Sequence, residues 1–169
     1  MLDLSTFTAI HTLLSLVALG AGVPVILGLI GGRVAPLWTG LFFFTAIATS
    51  ATGFGFPFNG VILPSHILGV IALVVLAVVL AARYAFRLSG AWRRIYAIGM
   101  VASVYFLIVA TIAQIYLKIP PLQAFAGTTV EILTQVAGLA CFIALGIAAA
   151  RGFGRDAGSG APRTAGVPR

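Results

Sequence analysis

The chain has two histidines, His11 and His66, and each stands just inside the start of a long apolar run. Two neutral imidazoles at one depth in facing helices are a ligand pair: they fill the axial positions of a b-type haem, or hold a transition metal. Beside His11 the sequence sets small groups at steps of four and three (Ser15, Ala18, Gly22), and Gly69 follows His66 by one helical turn. His11 and His66 are therefore the candidate metal ligands, with Ser15, Gly22 and Gly69 leaving room for a cofactor. Two other uses compete with this one. A histidine near a helix end also serves as a plain contact between helices, and a proton-linked or non-haem site with Gln114 and Glu131 needs no macrocycle.

The elements that must position these residues follow from composition. Of 169 residues, 61% are hydrophobic and only 8% are charged, against about 25% charged in a soluble domain. Apolar segments recur at residues 4–30, 37–56, 63–86, 95–117 and 129–150, each long enough for a hydrocarbon layer about 30 Å thick. The expectation is an all-α, polytopic transmembrane bundle of five spans. Asp3, with no Lys or Arg, precedes the first segment, which fits a retained helix rather than a cleaved signal. Residues 154–169 are rich in Gly, Ala, Pro and Arg and read as a disordered cytoplasmic tail.

The net charge of +7 is a matter of topology rather than of nucleic-acid binding, because the basic residues lie between and after the apolar segments. Arg33, Arg83, Arg87, Arg93, Arg94, Arg151, Arg155, Arg163 and Arg169 fall on one side of a five-span chain, and only Lys118 falls opposite. The positive-inside rule then sets the N-terminus outside and the C-terminus in the cytoplasm of a bacterial inner membrane. In that frame both histidines lie near the outer surface. His11 precedes Trp38 as His66 precedes Trp92, hinting at two tandem hairpins. Gln114, Tyr116, Lys118, Glu131 and Gln135 reach the same end and are candidates to surround the histidines, Lys118 and Glu131 as a pair across the fourth loop.

Other signals are few. Cys141 is the only cysteine, which excludes a disulfide within one chain and reads as inert packing. No GxSxG, HExxH or P-loop pattern occurs, so no enzyme class is assigned. Gly138, Ala140, Ala144, Gly146 and Ala148 give the fifth segment small surfaces suited to a homo-oligomer or a larger membrane complex. Serines and threonines within the segments are expected to bond back to their own helices.

The runs Leu63-Pro64-Ser65-His66-Ile67-Leu68-Gly69 and Gly90-Ala91-Trp92-Arg93-Arg94-Ile95-Tyr96 resemble a group of small bacterial inner-membrane proteins. His11–Ala18, Gly53–Pro57 and Gln114 with Lys118 extend the resemblance over residues 7 to 153. It implies no particular activity. The chain departs from that group before Glu131, where a more proline-rich segment is expected than Ala126-Gly127-Thr128-Thr129-Val130. Two function classes remain: a redox or metal-binding protein for electron transfer, and a small transporter or accessory subunit with no cofactor of its own.

Overall fold

The computed structural model describes residues 3–56 and 64–155, and every regular element among them is helical. Helix α1 spans Leu4–Ile30, α2 Pro36–Gly53, α3 Pro64–Leu80, α4 Trp92–Lys118, α5 Pro120–Gln123 and α6 Thr129–Arg155. Among the described residues four stretches are long and apolar enough to cross a membrane: Leu4–Ile30, His66–Ala85, Trp92–Lys118 and Thr129–Gly154. The side chains of Pro64, Ser65 and Arg155 lie outside the described residues, as do the loop 57–63 and the tail from residue 156. Ser65, which the sequence offers as a cap for the helix that carries His66, falls there too.

Local chemistry explains where the helices begin and end. Asp3 caps α1 by accepting from the Thr6 amide at 2.7 Å. Bonds from the Thr6 side chain and backbone, and then from Ser5, hold its carboxyl below the ordinary value of 3.8. Pro24 sits inside α1 without ending it; the helix stops at Gly31, and Gly32 takes a positive φ of 75°. Proline opens α2, at the position where its missing amide costs nothing. At the other end α2 stops at Gly53, three residues before the expected Phe56, because Phe54 and Gly55 turn back onto Ala51 and Thr52. Past Leu80 the chain widens into a π-helical turn, Ala81–Ala85, then reverses with Arg87, Leu88 and Gly90 all at positive φ. Phe86 and Trp92 stack across that reversal at 3.8 Å.

Helices α1 to α4 form a square in which each packs on the next and α4 packs back on α1. Helix α6 lies outside the square, against α4 and α1. The short connections make successive helices antiparallel. Consequently α1 and α3 occupy a diagonal and do not pack side by side. Along α1 the buried residues Ala18, Ala21, Gly22, Val25, Ile26 and Leu29 face the bundle, while Leu13, Leu16, Val23 and Leu27 are more than half exposed. The stripe through Ser15, Ala18 and Gly22 thus faces protein, as its small residues require. Helix α2 buries Thr39, Thr45 and Thr49 together with Phe42, Phe43 and Ala46.

The antiparallel order sorts the chemistry into two ends. One end holds His11, the close of α2, His66, Lys118 and Glu131; the other holds Arg33, Arg83, Arg87, Arg93, Arg94 and Arg151. The buried core lies toward the arginine end, where Leu76, Val79, Ala82, Tyr96, Ala97, Met100, Ala149 and Phe153 meet α1 and α2. There α6 comes so close to α1 that a Cβ on Gly152 would run into the carbonyl of Ile30.

Candidate functional site

At the histidine end, the exit of α2 separates the two imidazoles. His11 Nδ1 lies 2.9 Å from Thr52 Oγ1, and the Thr52 hydroxyl proton is already given to the Ala48 carbonyl at 2.7 Å. Thr52 therefore accepts from His11, which assigns the proton to Nδ1 and leaves Nε2 with its lone pair free. Phe56 meets the same ring edge-on at 5.1 Å, and Phe7 packs on Phe56 at 5.0 Å. Gly53 fits under the ring, since a Cβ there would lie 3.7 Å from His11 Cε1. Lys118 is near enough for its charge to act on His11.

His66 sits on the far side of this exit, stacked on Phe54 with ring centroids 5.9 Å apart. The two histidines thus share a depth, each against the 52–56 segment. The glycines expected to make room for a macrocycle are already in contact. A Cβ on Gly69 would stand 3.3 Å from Phe54 Cζ, and one on Gly22 would stand 2.8 Å from Val104 Cγ2 of α4. Ser15 spends its hydroxyl on the His11 carbonyl, as expected for a serine within a helix. Among the described residues no three His, Cys, Asp or Glu side chains come together as a metal-binding group.

The remaining polar residues of this end form a second cluster, on the seam between α4 and α6. Tyr116 and Thr134 share a hydrogen bond of 2.8 Å, and Gln135 Nε2 donates to the Val109 carbonyl at 3.2 Å. Glu131 accepts from the Gly127 amide at 2.7 Å; this local bond, closing the start of α6, takes the place of a pair with Lys118. Glu131 and Gln135 also line a cavity of about 470 Å³ with Tyr105. Gln114 is exposed on α4 and joins neither cluster. Of the five residues expected around the histidines, Tyr116, Glu131 and Gln135 are engaged at the α4–α6 seam and its loop, Gln114 is exposed, and Lys118 acts on His11 through its charge.

Two further expectations meet the structure differently. Gly138 and Gly146 face α4, near Ile112 and Val101, whereas Ala140 and Ala144 remain exposed and Ala148 is half-buried. Cys141 is also exposed rather than packed within the chain. What the sequence did not single out was Thr52 as the partner of His11. The signal was present: Thr45, Thr49 and Thr52 form one stripe ending in Gly53-Phe54-Gly55-Phe56, and a histidine needing a partner stands at the same depth one helix away. No family model, curated protein or solved structure matches this chain.

Proposed function

We propose that the protein is a small integral protein of a bacterial inner membrane, a transporter or an accessory subunit, in which His11 is the proton-binding group of an outward-facing site. In this reading the chain crosses five times, with the N-terminus outside. Helix α2 is the fifth crossing. Its 18 residues extend about 27 Å at 1.5 Å each, close to the hydrocarbon thickness. Its lower hydropathy comes from threonines that face the bundle rather than lipid, and the gathering of arginines at one end supports their cytoplasmic side.

The observation that carries the role of His11 is its bond to Thr52. A hydroxyl that fixes Nδ1–H holds the ring and presents Nε2 as the nitrogen that takes up and releases a proton. The same bond favours a second reading, Nε2 as a ligand to a transition metal or haem iron, because ligating histidines are held through their other nitrogen. That reading needs Phe54 or Phe56 to move aside and a charged metal to sit near Lys118. Purified protein separates the two. We expect the 15N signals of His11 to change reversibly with pH, and His11→Gln to remove those signals. A low-spin haem spectrum or stoichiometric metal, lost in both His11→Ala and His66→Ala, would replace the proton reading with the ligand one.

A further inference from the structure

A groove of about 690 Å³ runs along the seam of α4 and α6, far from the histidines. Arg94, Arg151 and Gly154 line one end, Val101, Ala102, Phe142 and Gly146 lie along it, and Tyr105 and Leu139 mark the other. From Arg94 to Tyr105 the helix advances about 16 Å, which is the depth of one leaflet of a hydrocarbon core about 30 Å thick. Gly146 keeps the wall low, since α6 presents no side chain there.

The two ends differ in charge. Among the described residues the carboxylates are Asp3 and Glu131, both at the histidine end. The arginines at the other end therefore have no carboxylate beside them in the described structure. Arg83 donates to the Tyr96 hydroxyl at 3.0 Å and Arg93 to the Phe153 carbonyl at 2.9 Å, both parts of the packed core. Arg94 and Arg151 are instead exposed at the mouth of the groove. Gly154 lets Arg94 lie across the end of α6, with Nε 3.3 Å from where a Cβ would stand.

We infer that this groove binds an anionic phospholipid of the arginine-side leaflet, its phosphodiester between Arg94 and Arg151 and one acyl chain along the seam. The inference rests on the membrane reading of the fold. A zwitterionic lipid would fill the apolar part equally and offer the same phosphodiester, but its ammonium would be repelled by two arginines that have no carboxylate beside them among the described residues. A second copy is a poorer occupant: a twofold axis along the membrane normal would bring Arg94 and Arg151 against their own duplicates. Arginines near an anionic headgroup act through charge and through paired N–H donors, which suits a phosphodiester.

Native mass spectrometry of the detergent-purified chain, offered phosphatidylglycerol, phosphatidylethanolamine or inorganic phosphate, tests this. Phosphatidylglycerol should be retained over phosphatidylethanolamine on the order of thirty-fold, the effect of two arginines near an anionic headgroup. The Arg94→Gln/Arg151→Gln pair should bring the two lipids level. Ala102→Phe, which fills the seam and leaves the arginines in place, should lose both lipids. Equal retention by the wild type overturns the proposal, as does inorganic phosphate displacing the lipid, or Ala102→Phe changing self-association while lipid retention stays the same. A chain that fractionates away from membranes ends the membrane reading as well; a membrane-embedded chain with no headgroup preference ends this inference alone.

Discussion

The arginine end and the histidine end of this bundle are built on opposite plans. Toward the arginines, side chains of all five long helices are buried, Tyr96, Met100 and Val79 have no exposed surface, and α6 touches the backbone of α1 at Gly152. Toward the histidines, no residue of α1 before Ala18 and none of α6 before Gly146 is buried. Contacts there are rings against rings and single hydrogen bonds. The difference teaches where stability and function are divided. A membrane bundle has little hydrophobic gain from helix association and depends on close packing, so the packed end holds the fold. The open end holds the two imidazoles and the polar side chains in single contacts rather than in a packed core.

Substitutions that exchange the properties of the two ends are the sharpest tests of that division. The largest effect is expected from Gly152→Val, whose side chain must displace the Ile30 carbonyl. It should destabilise the bundle by about 3 kcal/mol or more in reversible detergent unfolding. Gly138→Ala, in the open half, meets only the tip of Ile112 at 3.6 Å and should be neutral or slightly stabilising, because alanine is the better helix former. If the two glycines respond alike, the division is wrong.

Next in size is Leu76→Ala, which opens a cavity at a position only 2% exposed and should cost roughly 2 kcal/mol. Leu13→Ala, 62% exposed on α1, should move the unfolding midpoint little. Smaller again is Thr52→Val. One hydrogen bond between helices in a membrane is worth about 0.6 kcal/mol, so unfolding should shift slightly while the His11 15N spectrum changes from a single tautomer to a mixture.

The smallest effect concerns Asp3, where the sign follows from its bonds. Its folded carboxyl is held below 3.8, so the stabilising cap is complete above that value and is lost as pH falls through the lower, folded one. Amide exchange at Thr6 should accelerate there in the wild type and be fast at every pH in Asp3→Ala.

Much of the architecture was legible in the sequence because apolar length and arginine position are properties of the chain itself. The start and end of α1, the inward stripe through Ala18 and Gly22, and the back-bonding of Ser15 and Thr52 all follow from residue type and helical period. The site was half legible. Both histidines lie at one end, as their positions at the starts of the first and third spans require, but which helix stands between them depends on packing. Helix α2 places Phe54 against His66 and Thr52 against His11, and no spacing along the chain encodes that α1 and α3 form a diagonal. The α4–α6 seam was hidden for the same reason: Glu131 and Gln135 share a depth with His11 yet face another side of α4.

The central claim is that the histidine and arginine ends lie on opposite sides of a membrane. In a Cys141→Ala background, Gln123→Cys and Ser89→Cys place one thiol at each end. A membrane-impermeant maleimide applied to intact spheroplasts should label Gln123→Cys and reach Ser89→Cys only after permeabilisation. Labelling of both thiols in intact spheroplasts, or of Ser89→Cys alone, would contradict the account.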